Sequence, residues 1–475
     1  MALKSHAIRS LAARREILRA PATSLVAILA ALALLTLTGT DGFVLAASTP
    51  VRYVVTLPGY TPTTEVSDAI ARGRGRIVRR LPQVGVVIVT STNPDFARVV
   101  AENSGITTVS IGRVAAESIP PSTPVNPLSG PTAADDLFNA GKVWGVNRVH
   151  ADLAWRDGFT GSHRTVVAVI DTGVAWNHPD LRPNVTLAAC FASTPSCQPY
   201  PAFSDHGTHV AGTIAAAFGG GGVVGVGPNL ALASYNIYEA VPACGLCAYA
   251  DSRWAAMLDA AERGFKIVNL SLGLTLIRGS GSDVSARIAA ERRVLQFLTS
   301  ADVVVVASAG NDSLDLGGPI VHLPGDLGAV VNVAATAIRP LPRYPQAGAF
   351  DVGAFYSNYG APVTIAAPGG DTGPDDPGNA DPLDYLVLST ALVPGLACAR
   401  TASCAVYYDW KVGTSVASAH VAGVAGLIRD AFPNLNERQV RALMKRTAEP
   451  FATENDFGRG IVDAHAALVR AANVR

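Results

Sequence analysis

Three residue types in this sequence could together cleave an acyl bond. A serine hydroxyl is a weak nucleophile until a base takes its proton. A neutral imidazole can take it near pH 7. A carboxylate can then hold the imidazole tautomer and stabilise the imidazolium. The chain offers Asp171 in VVAVIDTGV, His206 in SDHGTHVAGT and Ser415 in VGTSVASAHVAGVAGLI. Each has a plainer reading when taken alone. An Asp after an apolar strand is often a turn or cap residue. A Ser at a helix start is often an N-cap. His206 and His209 form H-x-x-H, which hints at zinc. The zinc-protease pattern on a helix is instead H-E-x-x-H, with a Glu between histidines four apart. No metal is therefore assigned to this pair, and His209 reads as a packed, hydrogen-bonded helix residue.

The elements around these motifs alternate. Strands are expected at Thr165–Ile170, Leu230–Tyr238, Lys266–Leu272, Val303–Ala309, Ala329–Ala335 and Val363–Ala367. Helices are expected at Thr208–Phe218, Ser252–Arg263, Asp283–Ser300, Ser415–Ala431 and Asn436–Thr447. Several of the strands are apolar throughout, as when helices cover both faces. Such alternation predicts an α/β domain with a mostly parallel sheet over 143–475. Ligand sites in such sheets lie beyond the carboxyl ends of the strands, which is where Asp171 falls.

A different plan precedes it. Residues 1–47 begin basic, run apolar over Leu25–Leu37 and end in small residues, the pattern of a cleaved signal peptide. The apolar run is too short to span a bilayer as a helix, which needs about 20 residues. Membrane association is expected only if this segment is retained. Residues 48–113 follow the order β-α-β-β-α-β, the ferredoxin-like α+β plan. Their Arg72, Arg74, Arg76, Arg79 and Arg80 read as a solvated face. Residues 114–142 are rich in Pro, Ser, Ala and Asp and read as an exposed linker.

Composition narrows the classes. Among 475 residues, Lys+Arg 37 balance Asp+Glu 37, so the basic footprint of a nucleic-acid binder is missing. At 49% hydrophobic and 16% charged, the chain cannot be intrinsically disordered. The six Cys fall in local pairs, Cys190/Cys197, Cys244/Cys247 and Cys398/Cys404, expected to close as three surface staples. Cys244-Gly-Leu-Cys247 also fits a redox C-x-x-C, although no thioredoxin-like helix follows it.

Together, VIDTGV, HGTHVAGT, NLSLG, ASAGND and GTSVASAHVAG resemble the subtilisin-like (subtilase) serine proteases, in family order and across the whole large domain. The resemblance implies that Asp171 orients, His206 is general base and acid, and Ser415 attacks the scissile carbonyl. It implies that Asn311, with the backbone N–H of the nucleophile, binds the oxyanion. It implies that Ser271, Leu272 and Gly273, with Ser308, Ala309 and Gly310, flank the substrate backbone. The small domain would be a propeptide that blocks the cleft until clipped, and partners would be polypeptides and this propeptide. The expected product is a secreted serine endopeptidase needing no cofactor for its chemistry. A non-catalytic binding protein on the same fold is the rival.

The chain also departs from the pattern. Val416 and Ala419 stand where the nucleophile motif usually has Met and Pro. His322, in VHLPG, stands at a position that is often Gly in the stretch flooring the specificity pocket, which predicts a shallow pocket. Many members bind structural calcium through the residue matching Asp180 and the loop after the His helix. Here that loop, Phe218–Val223, has no side-chain oxygen, whereas calcium takes 6–8 oxygen ligands. The acidic loop Gly369–Asp384, with Asp371, Asp375, Asp376, Asp381 and Asp384, is a second candidate.

Overall fold

Period-two alternation explains the first sheet. In β1 (Val51–Thr56), Tyr53 and Val55 pack on one side while Val54 packs on the other. β2 (Gly75–Leu81), β3 (Val86–Ser91) and β4 (Ile111–Arg113) complete an antiparallel sheet of order β2-β3-β1-β4. One face is covered by α1 (Thr64–Arg72), capped by Thr63, and α2 (Phe96–Ala101). The structure is a computed structural model. It describes residues 50–102, 111–113, 116–118, 128–129, 135–194, 197–241, 245–339, 350–371, 382–451 and 456–473. The expected signal segment 1–47 lies outside them.

Two pieces of the expected linker pair with the large domain. β5 (Ala116–Ser118) and β6 (Leu128–Ser129) each add to the edge of a sheet. A third piece, α3 (Asp136–Asn139), packs Leu137 and Phe138 on the core. Composition gave no apolar period in 114–142, but edge strands can take a partner through backbone groups alone. α3 is thus packed against the large domain. α4 (Trp144–Arg148) and α5 (Ala151–Arg156) follow.

The central sheet is built from apolar strands. They are β7 (Val166–Asp171), β8 (Val185–Cys190), β9 (Ala231–Asn236), β12 (Ile267–Leu270), β14 (Val304–Ser308), β16 (Val330–Arg339), β17 (Phe350–Gly353) and β18 (Ile365–Pro368). Their order is β17-β16-β14-β12-β7-β9-β8, with β18 beside β16. Every pair is parallel except β16 with β17. Val167, Val169, Val304 and Val306 face one core, packed by α6 (His206–Ala215) and α10 (Thr414–Ala431). Ala168, Ile170, Val268, Leu270 and Val305 face the other, packed by α7 (Ala250–Glu262) and α8 (Ser282–Ser300). The result is the expected three-layer α/β domain. α11 (Glu437–Thr447), opened by an Asn436–Gln439 capping box, and α12 (Ala464–Ala472) close the chain.

Smaller antiparallel pairs frame the strand ends. β10 (Tyr238–Val241) pairs with β11 (Gly245–Tyr249), whose other edge receives β5. β13 (Leu274–Ile277) pairs with β15 (Ile320–Leu323). β19 (Val387–Leu392) pairs with β20 (Val406–Lys411), which also receives β6. α9 (Leu396–Ala399) lies in the loop between β19 and β20.

The second face of the first sheet is not free. Val54, Leu81, Val84, Val86 and Ile88 share one core with Trp254, Ala290 and Val294 of α7 and α8. Arg52 grips Asp251 with two bonds of 2.8 and 2.6 Å, and Arg79 lies 3.0 Å from the same carboxylate. Asp251 is 0% exposed. Arg293 of α8 donates to the carbonyls of Leu57 and Val84. Arg79 therefore leaves the solvated arginine face expected from sequence, because a register shift in β2 between Ile77 and Arg79 turns it toward Asp251. Arg72, Arg74, Arg76 and Arg80 remain exposed.

Disulfides join Cys190 to Cys197 and Cys398 to Cys404. Cys247 is also disulfide-bonded, while Cys244 lies outside the described residues. Cys247 therefore has no free thiol for redox chemistry in this structure. No described helix is long and apolar enough to cross a membrane.

Candidate active site

Asp171 ends β7 and His206 opens α6, so a strand end and a helix start bring carboxylate and imidazole together. His206 Nδ1 lies 2.8 Å from Asp171 Oδ1 and 3.0 Å from Oδ2. Oδ1 also accepts the Thr172 N–H at 2.7 Å. An ionised carboxylate only accepts, so Nδ1 must carry the proton and Nε2 the lone pair. Nε2 is buried and makes no hydrogen bond, to Ser415 or to any other described residue. Gly207 makes this approach possible. A Cβ there would lie 2.5 Å from the Gly173 carbonyl and 3.0 Å from Asp171 Cβ.

Ser415 is the second residue of α10 and is 4% exposed. Asn311 lies just beyond β14. Its Oδ1 accepts from the Thr414 N–H at 2.9 Å and from the Thr414 hydroxyl at 2.7 Å. Both bonds fix the amide flip, leaving Nδ2 as a donor. A Cβ built on Gly413 would meet Ser415 Oγ at 2.9 Å and Asn311 Nδ2 at 3.6 Å. The hydroxyl and the amide therefore border one small space. The positive end of α10 points toward that space as well.

Ser271 holds the start of α10 from below. Its hydroxyl donates to the Ser415 carbonyl at 2.7 Å and lies 2.9 Å from Ser418 Oγ. Asn269 in turn donates to Ser271. This side chain supports the start of the helix that carries Ser415, a role that sequence reading missed because only the NLSLG string marks it. The segment Ser271–Gly273 lies between β12 and β13 and belongs to neither. Ala309 and Gly310 have their main-chain groups engaged within the protein. Ala309 bonds Val333 and Asn358, and Gly310 bonds Thr414 and Asn358. Ser308 is the last residue of β14.

A family model described as Subtilase family matches residues 162–460. The chain belongs to the subtilase family. Alkaline elastase YaB from Bacillus sp. strain YaB is 33% identical over 328 residues, covering 68% of this chain and 69% of the relative. Subtilisin Savinase from Lederbergia lenta is 32% identical over 326 residues, covering 68% of this chain and 97% of the relative. Fervidolysin from Fervidobacterium pennivorans is 30% identical over 437 residues, and this chain spans 58% of its length. The fervidolysin crystal structure, described as a keratinolytic enzyme related to subtilisin, superposes with a TM-score of 0.67 over 90% of this chain and 62% of that one, at 25% identity. The epidermin leader peptide processing protease from Staphylococcus aureus shares the fold, with a TM-score of 0.68 at 21% identity over 89% of this chain and 99% of that one. The protein is thus a subtilisin-like serine protease, acting on peptide substrates.

In this subtilase His322 lies between two of the expected substrate segments. A Cβ on Gly273 would run into His322 Nε2, and one on Gly310 would lie 2.8 Å from Cε1. The ring is 5% exposed. Its Nδ1 lies 2.9 Å from the Thr275 hydroxyl, which donates to Asp312 at 3.1 Å. That hydroxyl has one proton, so His322 donates from Nδ1. Burial pushes the ring down to about 4, so it is neutral at pH 7.

The loop after α6 turns backbone N–H groups toward Asp180. Asp180 Oδ2 accepts N–H bonds from Gly222 at 3.2 Å and Val223 at 3.1 Å. Asp135 accepts the Gly219 N–H at 2.9 Å. Burial raises Asp180 to about 6. Backbone N–H groups thus face these carboxylates, where a cation would need carbonyl oxygens, and the arrangement does not fit calcium. In the acidic loop, Asp375, Asp376 and Asp381 lie outside the described residues.

Proposed function

We propose that the protein is a secreted serine endopeptidase working through Asp171, His206 and Ser415, with Asn311 as an oxyanion donor. The observation that carries the reading is the 2.8 Å bond between His206 Nδ1 and Asp171. It leaves the Nε2 lone pair free to take a proton. Catalytic hydrogen bonds often tighten only in the substrate complex, so an unbonded Nε2 accords with this role. Ser415 Oγ attacks the scissile carbonyl carbon and gives its proton to Nε2. The carbonyl oxygen becomes an oxyanion and takes a hydrogen bond from Asn311 Nδ2. Nε2 then protonates the leaving amine, and the C–N bond breaks. Water hydrolyses the resulting acyl-enzyme by the same steps in reverse. Asp171 accepts the Nδ1 proton's hydrogen bond throughout and stabilises the imidazolium.

The small sheet of residues 48–113 is read as the propeptide and inhibitor of this site. Its support is the shared core with α7 and α8 and the Arg52/Arg79 grip on Asp251. Export is read from the basic-then-apolar start and the disulfides. A specificity pocket narrowed by His322 selects small side chains before the scissile bond. The decisive experiment is labelling by a serine-directed phosphonate together with N-terminal sequencing of wild type and Ser415→Ala. Wild type should take the label and lose its amino-terminal residues up to the 114–142 region. Ser415→Ala should do neither. A wild type that takes no label and stays full length would favour the binding-protein rival.

A further inference from the structure

β20 ends at Lys411, four residues before Ser415, and this lysine is buried. Its side chain is 2% exposed, with Nζ 3.0 Å from Asp409 Oδ2 and 3.2 Å from Asp205 Oδ2. Asp205 immediately precedes His206. Its carbonyl accepts the N–H groups of Thr208 and His209, so it fixes the first turn of α6. Asp409 is 0% exposed and accepts the Trp410 N–H at 2.9 Å. Its carbonyl lies 3.1 Å from His209 Nε2, one turn along from His206. One ammonium therefore ties the turn that carries the imidazole to the strand that feeds the nucleophile.

The charges do not cancel. Two carboxylates against one ammonium leave one negative charge at the start of α6. Among the described residues, His209 and Tyr407 feel the charges of this cluster, His206 adjoins Asp205 in sequence, and Asp171 bonds His206. Burial, and then Lys411, holds His209 well below its ordinary value, so it stays neutral. The Tyr407 phenol is raised by burial and by both carboxylates, so it too stays neutral.

We propose that Asp205, Lys411 and Asp409 form a positioning cluster for the subtilase reaction. It clamps the His206 turn against β20 and leaves a net negative charge that favours the imidazolium formed during attack. The inference rests on His206 acting as the base.

The test is the pH dependence of kcat/KM on a peptide substrate for wild type, Lys411→Met, Asp205→Asn and the double variant, each expressed as the full chain. Lys411→Met leaves two uncompensated carboxylates and should move the acidic limb up, by about half a pH unit or more. Asp205→Asn leaves a neutral pair and should move it down. The double variant restores one negative charge and should return the limb toward wild type. Its kcat should stay reduced by about tenfold or more, because the clamp is gone. If Lys411→Met does not fold, the downward shift in Asp205→Asn remains decisive. Limbs that all coincide, or single variants that shift the same way, overturn the proposal. A wild type that neither hydrolyses peptide nor takes the phosphonate overturns the protease reading instead.

Discussion

His322 is the residue that most distinguishes this cleft. Its ring fills the space between Gly273 and Gly310. Replacing it by Gly should open that space. Peptide-library profiling of His322→Gly should then show a gain for Phe and Tyr before the scissile bond relative to Ala. An already strong wild-type preference for Phe or Tyr would rule out the narrowed pocket. Asn311→Ala should lower kcat about 10²–10³-fold with little change in KM, a magnitude established on subtilisin itself. Equal kcat for the variant and wild type would remove Asn311 from the oxyanion site. The sequence made both residues visible through SAGND and VHLPG. The Ser271 bond to the Ser415 carbonyl was not visible, since a hydroxyl at a strand end carries no sign of what lies 144 residues away.

At the scale of elements, the meeting of β7 and α6 depends on one missing side chain. Gly207→Ala would push a methyl into the Gly173 carbonyl and Asp171. The helix must then retreat and lengthen the Asp171–His206 bond. The variant should lose most of its kcat and melt at a lower temperature, measurable by phosphonate labelling rate and thermal unfolding. Unchanged labelling would show that the helix start has slack. Most parallel strands were legible because two covered faces demand continuous apolar runs, whereas β8, a half-buried edge strand, was missed. The β19–β20 hairpin was not. Its strand VYYDWK places Asp409 and Lys411 in the interior, and buried charges break the pattern by which strands are read. The cluster beside His206 was hidden for the same reason.

The whole molecule carries several histidines kept neutral by burial. His178, His322 and His420 are each pushed down to about 4, and His209 well below its ordinary value. A depressed folded value means the unfolded chain binds the proton more tightly. The stability these rings contribute is therefore intact above about 6.5 and is lost as pH falls toward 4. Each ring contributes a slope on the order of 1 kcal/mol per pH unit in that window. Asp180 and Asp326 oppose it. Burial raises both to about 6, so they favour the folded state as pH falls. Glu239, raised by burial, and His150, raised by its bond to Asp463, act in the same sense as the two carboxyls but are shifted less. The four buried rings outweigh them, and melting temperature should drop between pH 6.5 and 4. His420→Asn, placed on α10, should flatten that drop if it folds. A melting temperature that rises over the window would contradict the argument.

The grip on Asp251 has its own consequence. Both cations that neutralise this anion, Arg52 and Arg79, belong to the small amino-terminal sheet. If that sheet departs, the carboxylate is rehydrated, and any return must strip its water again. Departure trades two ion pairs for hydration, so the charge on Asp251 resists the return that the shared apolar core favours. Added salt should weaken recapture of the isolated sheet by the rest of the chain, because ions screen the arginines that draw it back.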